Sequence, residues 1–152
     1  MIRIATINDI ESLVELRIKL LKESNTSIEN YDWNKYSKVL RDFYYDGLIN
    51  GKVLAYLAED NKSIVAISIM CFYNITPLLY NLDGKMALLT DMYTTPEYRN
   101  NGLGMVLLNS IMEHIKALGY NKVILNATDS GRKLYKKYGF KDINGEMAYK
   151  FI

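Results

Sequence analysis

Cysteine occurs once in the 152 residues, histidine once and proline twice, and 19 Lys+Arg against 17 Asp+Glu leave a net charge of only +2. Each scarcity excludes something. A lone Cys71, set in the apolar run 65–72, closes no intramolecular disulfide; it reads as a small buried hydrophobe and suits a reducing compartment. One His and one Cys cannot assemble a transition-metal site, and no carboxylates fall at calcium-loop spacing, so no metal is expected. His114 itself lies on an apolar helix side near Ile111, Ile115 and Leu118, the place of a packed structural histidine. No run of about 18 apolar residues appears and the N-terminus has no long apolar stretch, so neither a membrane span nor a secretory leader is expected, and the chain reads as cytoplasmic. A charge this small argues against strong attraction to nucleic acid or to an anionic membrane. What remains is an ordinary globular composition, sized for one domain over residues 1–152.

The pattern along the chain alternates between periods of two and of about 3.6 residues. Residues 2–6 alternate as an edge strand. Asn8 reads as an N-cap completed by Glu11, opening a helix that runs to about residue 22. A second helix is expected over 32–46, with Trp33, Tyr36, Val39, Leu40, Phe43 and Tyr44 on a broad face and Gly47 and Gly51 as its stop. Runs 52–59 and 63–73 form a hairpin, the second apolar enough to be buried on both faces. After a loop marked by Pro77 and Asp83-Gly84, a strand is expected over 86–94 and a long helix over 102–118. Leu103, Val106, Leu107, Ile111, Ile115 and Leu118 would face the core from that helix. A short strand over 123–127, a helix over 130–138 and a terminal strand over 146–152 complete the order.

The long helix opens on Arg99-Asn100-Asn101-Gly102-Leu103-Gly104, just after the break Thr94-Thr95-Pro96. Amides at a helix start lack intrahelical partners and the helix dipole favours an anion there. Gly102 and Gly104 let that anion approach the backbone, and Arg99 offers a charged fork for phosphate oxygens. A P-loop is excluded because Met105 and Val106 follow Gly104 in place of Lys and Ser or Thr. The dinucleotide fingerprint is excluded by Leu107, where a small residue is required.

Arg99, Gly102 and Gly104 resemble the Arg/Gln-x-x-Gly-x-Gly/Ala signature of the GNAT superfamily of N-acetyltransferases. The resemblance extends through Asn126 and Leu134-Tyr135-x-x-x-Gly139-Phe140, covering most of the second half of the chain. It implies an α/β (α+β) fold with a mixed, mainly antiparallel twisted sheet flanked by helices, in agreement with the order of elements. It implies acetyl-CoA as co-substrate, with its pyrophosphate on Arg99, Asn100, Asn101, Gly102, Leu103 and Gly104 and on the amide of Met105. The pantetheine arm would lie between the strand carrying Met92, Tyr93 and Thr94 and the strand ending at Asn126, with an N–H near Met92 polarising the thioester carbonyl.

Tyr135 matches the family's tyrosine and is the expected acid for the leaving thiolate, since a phenol stays protonated at neutral pH. Many relatives carry a glutamate on the strand before the cradle. It is absent here, leaving Asp91 or a water as the base. Direct attack of a primary amine in a ternary complex is the implied reaction. The acceptor has no portable motif: small amines, amino acids, amino-bearing antibiotics and protein N-termini all fit, with Trp33, Tyr36 and Tyr44 available as an aromatic wall for a cationic amine. Homodimerisation is common in the family. Two rival functions carry different signatures. A non-catalytic acyl-CoA-binding or sensing domain would need the cradle without Tyr135, and a nucleic-acid module would use Arg132, Lys133, Lys136, Lys137 and Lys141. That basic cluster is local and equally suits solvent or the 3′-phosphate of CoA.

Overall fold

The computed structural model describes residues 1–25, 27–28, 30–143 and 145–151. Five strands form one sheet in sequence order: β1 (Ile2–Ile4), β2 (Val53–Asp60), β3 (Ser63–Asn74), β4 (Lys85–Thr94) and β5 (Val123–Leu125). Every neighbouring pair is antiparallel except β4 with β5, which run parallel. The helices α1 (Ile10–Ser24) and α2 (Trp33–Ile49) cover one face, and α3 (Leu103–Ala117) and α4 (Asp129–Tyr138) the other. Strand β3 is buried on both sides, as its apolar run predicts: Ile67 and Ile69 join the α1/α2 core, while Met70 packs under α3.

Helix starts are set by side chains that take orphan amides. The first lies two residues earlier than the sequence suggests. Thr6 and Asp9, not Asn8 and Glu11, form the capping box of a 3₁₀ turn that leads into α1. Asp9 accepts from the Thr6 amide at 2.8 Å and from both terminal nitrogens of Arg3 at 2.7 and 2.9 Å, so it serves β1 and the helix entry together. Asp32 caps α2 through the Lys35 amide at 2.9 Å.

Gly47 does not end α2, which runs on to Ile49. Its role is close approach: a Cβ there would stand 2.4 Å from Val53 Cγ2, so glycine lets α2 press on β2. Of the broad face expected on α2, Leu40 and Tyr44 are buried, whereas Val39 and Phe43 are half exposed. The core face of α3 is likewise rotated from expectation. Leu107, Leu108, Ile111 and Ile115 are buried, while Val106 is 48% exposed and Leu118 is turned outward at the helix end.

The expected terminal strand is absent among the described residues. Residues 146–151 pair with nothing, and Met147, Tyr149 and Phe151 are 95%, 82% and 93% exposed; Ile152 lies outside the described residues. Period-two alternation marks a segment able to be a strand, but it supplies no partner edge. The short strand β5 also ends at Leu125, two residues before the sequence limit.

Candidate active site

A one-residue bulge in β4 organises the site. Ile69 pairs with Asp91 and Met70 with Leu89, so Thr90 is the extra residue. A bulge reverses the side-chain alternation beyond it. Leu89 accordingly faces the α3 core, while Asp91 and Tyr93 turn to the α1/α2 side. Pairing with β5 stops at the same point, its last pair being Leu89 with Leu125. From there β4 continues to Thr94 without a β5 partner, while the chain after Leu125 leaves the sheet.

Asp91 is not a free carboxylate. Its side chain is only 2% exposed and its oxygens face Arg17 from α1 and, at 3.3 Å, the Tyr44 hydroxyl from α2. Burial pushes its carboxyl above the ordinary carboxylate range, opposed by Arg17 and Tyr44. Burial works against the charge on Arg17 too, but Asp91 and Tyr36 outweigh it, and the guanidinium stays charged. Arg17 was not singled out from the sequence, though a signal was present. It lies four residues after Leu13 and three before Leu20, on the apolar stripe of α1, where an arginine calls for a buried partner.

The loop after β4 is a cradle of amides. A 3₁₀ turn over Pro96–Tyr98 is fixed by the Tyr98 hydroxyl, which donates to Asp60 at 2.6 Å. Asn100 (φ 63°) and Gly102 (φ 78°) then adopt left-handed backbone, and Gly102 caps α3 without any side-chain cap. Among the described residues the N–H groups of residues 100–104 have no protein acceptor. Successive free amides in such a turn form a concavity suited to phosphate oxygens. Met105 is not part of this set, since its N–H is spent on the Gly102 carbonyl at 3.1 Å.

Arg99 has partners within the protein. Its Nε donates to the Thr94 carbonyl at 2.8 Å and its Nη2 to Glu23 at 2.6 Å, while the guanidinium lies over the Tyr93 ring. The fork therefore ties the cradle loop to the end of α1. Glu23 receives the Tyr93 hydroxyl as well, at 2.5 Å. Burial and Glu23 together push the Tyr93 phenol up to about 12.

Beyond β5, Thr128 caps α4 by accepting from the Gly131 amide at 3.2 Å. A Cβ on Gly131 would meet the Tyr135 ring at 2.9 Å, so this glycine lets the tyrosine lie against its own helix. Tyr135 packs edge-on against Phe140 and is half buried, yet its hydroxyl has no protein partner among the described residues. It lines a cleft of about 450 Å³ together with Asn126, Leu88, Arg132, Lys136 and Phe140. Burial, then the charge of Asp91, pushes the Tyr135 phenol up to about 12.

The other expectations divide. His114 is structural, its Nδ1 standing 3.1 Å from the Tyr56 hydroxyl and bridging α3 to β2. The aromatic wall is not one surface: Tyr44 is buried against Asp91, whereas Trp33 and Tyr36 cluster with Tyr31 and the Lys22 ammonium sits 4.9 Å above the Trp33 ring. In the basic cluster on and after α4, Arg132 and Lys136 share Asp142, whose single charge offsets one of theirs, and both stay about half exposed. No helix among the described residues is long and apolar enough to cross a membrane.

A mixed sheet that parts beyond a bulge, with free amides at the head of the next helix, is the arrangement of an acyl-CoA-dependent transferase fold. The model of the acetyltransferase (GNAT) domain matches residues 51–142, and the chain belongs to that family. A predicted acetyltransferase from Clostridium acetobutylicum, solved with acetyl-CoA, superposes with a TM-score of 0.91 at 30% identity, over 99% of this chain and 95% of that one. A GCN5-related N-acetyltransferase from Ralstonia eutropha shares the fold, with a TM-score of 0.88 at 21% identity over 99% and 97% of the two chains. An uncharacterized N-acetyltransferase of Schizosaccharomyces pombe is 36% identical over 53 residues, 33% of this chain and 32% of that protein. The match thus spans about a third of the length of this curated relative.

Proposed function

We propose that this protein is a single-domain, cytoplasmic N-acetyltransferase that moves the acetyl group of acetyl-CoA to a primary amine by direct attack in a ternary complex. The observation that carries the reading is the row of unpartnered amides at residues 100–104, set beside the parting of β4 and β5. These amides take the pyrophosphate. Arg99 holds their loop in place through Glu23 and Thr94 and is not itself the phosphate fork. Met92, Tyr93 and Thr94 flank the pantetheine arm on one side and Asn126 on the other, with a β4 amide near Met92 polarising the thioester carbonyl. Acetyl-CoA bound to the Clostridium neighbour, 30% identical over nearly the whole chain, supports the choice of co-substrate.

In the reaction the amine nitrogen forms a bond to the acetyl carbon and the carbon–sulfur bond breaks. The net proton runs from nitrogen to sulfur. Asp91, held by Arg17 and Tyr44, is unavailable as base, so solvent in the cleft takes the nitrogen's proton. Tyr135, a phenol near 12, keeps its own proton at neutral pH and donates a hydrogen bond to the leaving sulfur, which takes up its proton from the same solvent. The test is a panel of small amines, amino acids, aminoglycosides and N-terminal peptides, with acetyl-CoA thiol release and N-acetyl product followed together. Amine-dependent release with matching product is expected. CoA binding without release for any amine would make the protein an acyl-CoA-binding domain.

A further inference from the structure

The proposed reaction leaves the charges under β4 unused. Arg17 and Asp91 pair between α1, α2 and the sheet, the carboxylate side chain 2% and the guanidinium side chain 25% exposed; Arg17 Nε also lies 3.4 Å from the Tyr36 hydroxyl, and Tyr44 donates to the second Asp91 oxygen. Largely buried pairs of this kind can commonly be replaced by apolar side chains without loss of stability, so this one calls for a reason other than stability. Its place in the fold supplies one. Asp91 is the first residue after the bulge at Thr90, and the pairing of β4 with β5 ends at Leu89, immediately before it. Beyond that point β4 has lost its β5 neighbour, and the anchorage to α1 and α2 through Asp91 takes over where the ladder stops.

We propose that Arg17 and Tyr44 are positioning residues: through the Asp91 carboxylate they hold the β4 bulge, and with it the mouth between β4 and β5 that seats the acyl end of acetyl-CoA. The inference rests on the acetyl-CoA reading above. Thr90 adds a lighter tether from within the sheet, its hydroxyl donating to the Ile69 carbonyl at 3.3 Å. The pyrophosphate cradle, built on residues 100–104, shares no hydrogen bond among the described residues with Arg17, Tyr44 or Asp91 and meets the clamp only through Arg99, which binds the Thr94 carbonyl and Glu23.

The test uses the full chain carrying the double substitution Arg17→Met and Asp91→Leu, which removes the pair without stranding a charge, and separately Tyr44→Phe. Amide hydrogen exchange in the double variant should accelerate about tenfold at residues 90–94 and stay within about twofold at residues 87–89, which are paired on both sides. Calorimetry should show acetyl-CoA binding weakened about tenfold and binding of ADP, which carries the pyrophosphate without the arm, within about threefold. Tyr44→Phe should move both readouts in the same direction by less. Exchange raised evenly along β4, or equal losses for ADP and acetyl-CoA, would make the pair merely structural and overturn the proposal. A wild-type protein that binds neither ligand would instead overturn the functional reading, and the exchange pattern would still decide the clamp.

Discussion

Replacing Gly104 by alanine separates cofactor binding from stability. Gly104 sits in the first turn of α3 with ordinary helical backbone, and a Cβ there would meet only Leu134 Cδ2 at 3.6 Å, an ordinary contact. Alanine exceeds glycine in helix propensity by roughly 0.8–1.0 kcal/mol, so the substitution should leave the melting temperature unchanged or raise it by a few degrees. In the proposed binding mode the phosphate closes on the amides beside this methyl, which would hold it off. Losing two charge-assisted hydrogen bonds of roughly 1.5–3 kcal/mol each weakens CoA by about 10²-fold or more. Gly104→Val should abolish binding. Calorimetry with CoA, run beside thermal unfolding, reads both effects. Wild-type affinity in a Gly104→Ala protein of undiminished stability would refute the cradle assignment.

Tyr135→Phe should lower kcat by about 10- to 100-fold with CoA affinity unchanged, because the lost donor acts only on the developing thiolate; an equal kcat removes Tyr135 from the mechanism. With the phenol near 12, the wild-type rate should show no alkaline limb from Tyr135 below about pH 11. Asp9 is held down to about 2, first by Arg3. A carboxyl depressed in the folded state contributes its stability above the unfolded value near 3.9 and loses it as pH falls through about 2. Asp9→Asn should therefore cost about 2 kcal/mol in urea unfolding at pH 7 and almost nothing near pH 2. Leu108→Ala should cost about 2–5 kcal/mol and Val106→Ala under about 0.5; the reverse order would contradict the observed face of α3.

Periodicity located every α-helix and all five strands to within a few residues, because each must bury a face, and it added a sixth strand over 146–152 that is not formed among the described residues. It misjudged where partners decide. Val106 and Leu108 both suit a core on hydrophobicity, and only the rotation of α3 against β3 and β4 separates them. Met147, Tyr149 and Phe151 alternate like a strand, yet no edge pairs with them among the described residues. The turn of free amides was legible because Gly102 answers a local demand for left-handed backbone. Arg99 was legible as a charge but not in its direction, which depends on Glu23, 76 residues away in the chain. The pairing of Arg17 with Asp91 was hidden for the same reason, since its two halves lie 74 residues apart.

The account stands or falls on whether residues 100–104 hold the pyrophosphate. The most direct measurement is a titration of the isotope-labelled protein with CoA, following backbone amide resonances. The largest shifts are expected at residues 100–104, with smaller ones at Met92, Tyr93, Thr94 and Asn126 and little change at Met105, whose N–H is already bonded. Saturable binding that leaves the amides of residues 100–104 unmoved, or no binding at all, would contradict it.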